Sequence, residues 1–333
     1  MLEMVSFAYV AASEEFSPKE LLDNALEAEK YGWEEVWASD HFHPWTTKLG
    51  HSVQAWVYLA AVGARTSKVI LGTSVTSPIY RYHPAIIAQS FSTLACLFPK
   101  RVFLGLGTGE ALNEIPCGYD WPKFKERFER FEEAVKIIKL LWEKDYVSYK
   151  GKYYNLRRAK IFDKPSNPIP LIIASTSPKV SELAGKYGDG LMTVQVKEDK
   201  YTNVIFPSFE KGAKEAGKDP KKLDKLILLH LAYDKEFEKA LEALKPWKPV
   251  ILPFLFNYPV YDPKEIESYG EVISDDSLIK NFPIFTKEEE ILKYLEKFIK
   301  IGFNRIGVSV SGDVKGFLKL CGEKVLPYLR SIY

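Results

Sequence analysis

The chain has 333 residues, 46% hydrophobic and 14% aromatic, enough for one large core or two smaller ones. A net charge of +2, with signs interleaved as in Lys123-Phe124-Lys125-Glu126-Arg127-Phe128-Glu129-Arg130, excludes a dedicated nucleic-acid binder. Three cysteines without Cys-x-x-Cys spacing argue against a disulfide framework or a zinc site. With no apolar run of the ~20 residues a bilayer needs and no leader-like start, a soluble cytoplasmic protein is expected.

Short apolar runs alternate with longer amphipathic segments. The first run is Val5–Val10, and the helix after it has Ser17 as N-cap, Pro18 at its first position and Glu20 at N3. Gly32 ends that helix, and a second run reaches Ala38. Residues 52–66 read as a helix and Val69–Val75 as a third strand. Pro84 opens a helix to about Leu97, followed by Val102–Gly107 as strand four and an amphipathic helix over 122–144. Tyr146-Val147-Ser148-Tyr149, Gly151 and Tyr153-Tyr154-Asn155-Leu156 interrupt the rhythm as a β-hairpin.

The alternation resumes with Leu171–Ser175, a helix near 178–187, Leu191–Val194, a helix near 199–217, Leu226–Ala232 and a helix around 235–246. The Pro- and aromatic-rich stretch 248–285 is a second excursion. A helix over 287–301, the run Arg305–Val310 and a last helix complete the pattern. Eight strands each followed by a helix is the count of a (β/α)8 TIM barrel. We expect a single α/β barrel domain over 1–333, with insertions after strands four and seven.

In such a barrel the residues just past each strand share one mouth. Past strand two comes Ser39-Asp40-His41-Phe42-His43-Pro44-Trp45, a carboxylate, two imidazoles and an indole in seven residues. Three readings compete for it. Imidazole and carboxylate suit a metal, Asp40 is a candidate turn cap with histidines bonded to backbone, or His41 is a base working with Glu110. Gly105-Leu106-Gly107-Thr108-Gly109-Glu110, past strand four, resembles a dinucleotide loop but ends in Glu rather than Gly and does not follow a first strand. Its glycines permit a flat ligand to approach backbone N–H groups. Ser175-Thr176-Ser177-Pro178 opens a helix and reads either as a phosphate site or as ordinary capping.

Ala38-Ser39-Asp40-His41-Phe42-His43-Pro44-Trp45, Leu71-Gly72-Thr73-Ser74-Val75, Tyr80-Arg81-Tyr82-His83-Pro84-Ala85-Ile86-Ile87-Ala88-Gln89 and Gly107-Thr108-Gly109-Glu110-Ala111-Leu112-Asn113-Glu114 together resemble the F420-dependent dehydrogenases of the bacterial luciferase-like superfamily. Tyr261-Asp262-Pro263-Lys264-Glu265 is similar to the secondary alcohol enzymes of that group. The resemblance implies hydride transfer from a carbinol carbon to C5 of the deazaflavin coenzyme F420. It assigns His41 to the substrate hydroxyl proton, Trp45 to stabilising the reacting complex, Glu110 to protonating ring N1 and Glu14 to a further active-site carboxylate. It makes Asp40, Thr108, Gly109, Ser175, Thr176 and Ser177 coenzyme contacts, and Ser74-Val75 a cis peptide against the ring. Acid–base chemistry of this kind needs one imidazole and one carboxylic acid beside a flat ring, and no nucleophile.

Sugar-phosphate members hold their phosphate with two lysines and an arginine. Lys197 matches the first lysine, whereas Asn257 and Asn281 fall at the other two positions, and neutral amides do not offset a dianion. An uncharged alcohol or free sugar is therefore expected, with a glucose-6-phosphate dehydrogenase as the alternative. Two further readings are an FMN-dependent monooxygenase with a reductase partner and a catalytically silent coenzyme-binding protein. The resemblance also implies a homodimer.

Overall fold

The computed structural model describes residues 5–333, and Met1–Met4 lie outside the described residues. Eight parallel strands run Ser6–Ala11 (β1), Glu35–Ala38 (β2), Ile70–Thr73 (β3), Val102–Leu106 (β4), Leu171–Ala174 (β5), Gly190–Val194 (β6), Asp224–Tyr233 (β7) and Arg305–Gly312 (β8). Each pairs with the next, and β8 pairs with β1, so the sheet closes into a barrel. The expected (β/α)8 architecture is what the chain adopts.

Alternation along the strands divides two cores. Ala8, Val10, Trp37, Phe103, Ile172, Met192 and Leu226 fill the barrel lumen. The intervening residues, such as Phe7, Tyr9, Val36, Leu104, Ile227 and Val308, face the helical ring. A charged plug closes the N-terminal end. Arg305 is ion-paired to Glu35 and, at 3.0 Å, to Asp224, while Trp37 Nε1 donates to Glu35 at 2.8 Å. Burial alone would raise the Glu35 carboxyl, but the Arg305 guanidinium prevails and lowers it.

Local signals hold at the helix ends. Pro18–Lys30 starts with the capping box between Ser17 and Glu20. The helix expected from residue 52 begins at Ala55 because Gln54 caps it, its side chain accepting from Val57 N. The helix expected over 199–217 contains a π turn at Tyr201–Ile205 before Phe206–Glu215. Pro207, which has no N–H to give to that ladder, follows after Phe206.

The hairpin Val147–Lys150 and Asn155–Ala159 lies along helix Phe124–Glu143, and Tyr154 Oη at its tip donates to Pro78 O and Ile79 O. The second excursion folds over the mouth as short helices, including Pro263–Gly270 and Asp275–Asn281. Leu244, Trp247, Leu255, Ile266 and Leu278 from it and from the helix before it pack with Ala12, Trp45 and Leu112 in a separate apolar cluster. Its last residues, Ile284–Phe285, form a short strand beside Ala232 and Tyr233. Two residues carry no period, so the sequence did not announce it. Among the described residues no helix is long and apolar enough to cross a membrane.

Candidate active site

The ends of β1, β2 and β4 bring three proton-carrying side chains together. His41 Nε2 lies 3.3 Å from Glu14 Oε1 and 3.5 Å from Glu110 Oε2. His41 Nδ1 lies 3.3 Å from the His43 carbonyl, which only accepts, so a proton on Nδ1 completes this contact while Nε2 is turned toward the two carboxyl groups. Glu14 is held from behind: Ser39 Oγ donates to its Oε2 at 2.5 Å and Ser13 Oγ at 3.2 Å.

Glu110 keeps about a quarter of its side chain open, at 27% exposure, whereas Glu14 is 4% exposed. Burial raises the Glu110 carboxyl above the usual range; His41 draws it down, Glu14 pushes it up again and Arg81 draws it down. A carboxyl whose protonated form is favoured in this way, beside an imidazole, is placed for proton transfer. Trp45 covers this centre, its ring 5.6 Å from His41 and 5.2 Å from Phe256 of the excursion.

A buried ion triad fixes the backbone beneath. Arg81 Nη2 reaches Asp40 Oδ1 at 3.1 Å and the Asp40 carbonyl at 2.6 Å, and Arg81 Nη1 reaches Glu114 Oε1 at 3.0 Å. Asp40 also accepts from Thr76 Oγ1 at 2.6 Å and Tyr82 Oη at 3.3 Å. Its oxygens are thus committed to the wall of the mouth. Asn113 spans both catalytic segments: Oδ1 accepts from Phe42 N and Nδ2 donates to Glu110.

On the neighbouring wall the Ser74–Val75 peptide is cis, as the resemblance implied, and β3 ends one residue earlier at Thr73. Pairing resumes beyond it, with Thr76 N donating to Gly105 O and Gly107 N to Thr76 O. Gly105 in β4 and Gly107 just past it serve this bend. A Cβ on Gly105 would meet Thr73 O at 1.9 Å and one on Gly107 would meet Val75 Cγ2 at 2.5 Å. At these two positions the missing Cβ makes room for the neighbouring chain around the cis peptide. Gly109 adopts φ of 76°, open to glycine at little cost.

This wall suits a flat, polar ring. Ser74 Oγ is buried with no partner among the described residues, Val75 is partly open, and Thr108, Gly109 and Glu110 continue the same edge. Past β5, Ser175 Oγ accepts from Ser177 N at 3.0 Å and bonds Ser181 Oγ at 3.1 Å, while Thr176 is exposed. Ser177 is the N-cap of helix Pro178–Tyr187 without a side-chain capping bond, so its hydroxyl is not spent there.

Lys197 is exposed past β6; Asn257 Nδ2 donates to Pro253 O and Asn281 Nδ2 to Ser277 O, each within its own turn. Among the described residues no hydrogen bond links any two of the three. His43 stacks on Phe42 and points Nδ1 at Tyr261 O, 3.5 Å away. Among the described residues no three His, Cys, Asp or Glu side chains are grouped as a metal site.

Glu15, His230 and Trp247 belong to none of the motifs that mark the mouth in the sequence. The one signal was His230, the only polar residue in the run Leu226–Ala232.

Comparison with known proteins speaks to family and fold. Residues 4–288 match the family described as luciferase-like monooxygenase. An F420-dependent glucose-6-phosphate dehydrogenase of Mycolicibacterium gilvum (strain PYR-GCK) is 38% identical over 98% of this chain and 99% of its own. One of Amycolatopsis mediterranei (strain U-32) is 39% identical over 99% and 100%. The solved structure of an F420-dependent secondary alcohol dehydrogenase in complex with an F420-acetone adduct superposes with a TM-score of 0.94, at 40% identity, over 98% of this chain and 99% of that one. The barrel and its mouth define an enzyme-type α/β scaffold with an acid–base centre. The chain belongs to the luciferase-like monooxygenase family.

Proposed function

We propose that this protein is a coenzyme F420-dependent dehydrogenase that oxidises the CH–OH group of an uncharged alcohol or sugar. The observation that carries the reading is His41 Nε2 within 3.5 Å of both Glu14 and Glu110 at the barrel mouth. Relatives that span the whole chain and are named F420-dependent dehydrogenases support it. Bound coenzyme F420 supplies the hydride acceptor at C5.

Ser74, Val75, Thr108 and Gly109 hold the ring, Ser175, Thr176 and Ser177 its polar tail, and Asp40 steadies that wall from behind through Thr76. His41 accepts the hydroxyl proton at Nε2, and Glu14, fixed by Ser39 and Ser13, stabilises the resulting imidazolium. Glu110 keeps a proton ready for ring N1, as its raised carboxyl permits. Trp45 and Phe256 exclude water over the carbinol. Lys197, Asn257 and Asn281 meet the distal part of the substrate. In this reading the enzyme works as a homodimer in the cytoplasm, and its three free cysteines suit a reducing compartment.

The names of the curated relatives favour a second reading, glucose 6-phosphate as substrate. Steady-state kinetics with oxidised coenzyme and glucose, glucose 6-phosphate or 2-propanol separate the two. Comparable or better kcat/KM for the unphosphorylated compounds is expected. A strong preference for the phosphate would replace the first reading by the second. FMN in place of F420, with oxygen consumption, would point to the monooxygenases of the family.

A further inference from the structure

The mouth has a second polar group, across β1 from the catalytic one. Leu226 and Leu228 of β7 face the lumen, so alternation brings His230 into it one layer higher. Its register partner on β8 is Ser309, and Ser311, two residues on, returns to the same face. His230 Nε2 lies 3.2 Å from Ser311 Oγ, which donates to Glu15 Oε2 at 2.9 Å. Trp247 Nε1 donates to the same carboxyl oxygen at 3.2 Å, and its ring packs 4.5 Å from His230. Phe282 closes the other side of the imidazole at 5.0 Å.

The donors in this chain have a fixed order. An indole N–H only donates, so Glu15 Oε2 accepts from Trp247 and from Ser311. The Ser311 oxygen then accepts from His230 Nε2–H. That order leaves His230 Nδ1 as a bare acceptor and Glu15 Oε1 as a free oxygen, neither with a protein partner among the described residues. Burial pushes the Glu15 carboxyl up to about 8, despite Ser311 and Trp247, so near neutral pH it carries a proton to offer. One acceptor and one donor are the complement of an alcohol hydroxyl.

The group adjoins the catalytic centre. Glu15 follows Glu14, which touches His41, and Trp247 shares an apolar cluster with Trp45 and Ala12. No cation takes part, so the wall offers nothing to a phosphate dianion. A mouth that only handled a simple alcohol could be lined with hydrocarbon and avoid the cost of burying these polar groups.

We propose that Glu15 and His230, joined through Ser311, form a hydroxyl-binding wall that makes uncharged polyhydroxy compounds the preferred substrates. The proposal rests on the reading that His41 holds the reacting carbinol. A site built to pair a hydroxyl discriminates against the analogue that lacks it, because its own polar groups are left unpaired.

The test compares kcat/KM for 1,2-propanediol and 2-propanol, with oxidised coenzyme, in the wild type, His230→Leu and the milder Ser311→Ala. The ratio of diol to 2-propanol should fall about tenfold or more in both variants, and His230→Asn should restore part of it. A smaller fall would overturn the wall, because a merely structural role lowers both substrates together. Glucose binding read by tryptophan fluorescence, without turnover, keeps the two proposals apart. If no alcohol is oxidised by the wild type, the His41 reading fails. The wall then stands if His230→Leu weakens glucose binding tenfold or more, and falls if binding is absent or unchanged.

Discussion

Asn113 Nδ2 donates to Glu110 Oε2 at 3.1 Å, while Oδ1 of the same amide accepts the Phe42 N–H at 2.8 Å. One side chain thereby sets the spacing of two segments that come from different strands. Asn113→Ala orphans the Phe42 amide and releases Glu110. The expected stability loss is about 1–3 kcal/mol by chemical denaturation, with kcat reduced more than KM is raised. An unchanged kcat would remove Asn113 from the positioning of the acid.

Arg81 is the only cation between the buried carboxylates of Asp40 and Glu114 among the described residues. Replacing it by Met leaves both carboxylates without a counter-charge. The expected cost is about 3–5 kcal/mol, read as a lowered urea midpoint. Arg81→Lys keeps the charge but loses the forked contacts, and should fall between the two. A Met variant as stable as the wild type would contradict the triad's role.

Gly105 in β4 and Gly107 just past it should separate folding from coenzyme binding. Gly105→Ala drives its methyl into a backbone carbonyl, Thr73 O, which has nowhere to go, so little folded protein is expected. Gly107→Ala meets only the Val75 side chain and should cost about 1–3 kcal/mol, appearing mainly as weaker binding of oxidised F420. Fluorescence titration of the coenzyme measures it, and wild-type affinity in Gly107→Ala would exclude Val75 from the ring wall.

Two buried groups give stability opposite pH slopes. Burial pushes the His230 imidazole from 6.5 down to about 3. Between those values the unfolded chain binds a proton that the native chain does not, so stability falls as pH drops through that window, by up to about 1.4 kcal/mol per unit. His230→Gln should flatten the acid limb of thermal stability against pH. Glu15 acts the other way: its contribution is complete below about 4.5 and is lost as pH rises to about 8. Glu15→Gln should flatten that alkaline decline, and unchanged slopes in both variants would contradict the burial of this pair.

The barrel was legible because each strand is an apolar run and each helix carries its own start signal, as Ser17 and Glu20 illustrate. His41 and Glu110 were legible through their motifs and Glu14 only through the resemblance, and the ends of β1, β2 and β4 bring them together. What escaped depends on closure. Glu15 lies just past β1, Ser311 and His230 lie on β8 and β7, and only the β8–β1 seam makes them neighbours. The purpose of Gly105 and Gly107 was also hidden, because the atom each glycine admits belongs to β3 or to the segment just past it.

The most direct measurement is the visible absorbance of oxidised F420 during addition of 2-propanol, 1,2-propanediol or glucose to the purified protein. The wild type should bleach the coenzyme with at least one of them. His41→Ala and Glu110→Gln should still bind coenzyme but bleach it about 10²–10⁴-fold more slowly. Undiminished bleaching by either variant, or none by the wild type with any alcohol or sugar, would contradict hydride transfer at this His–Glu centre.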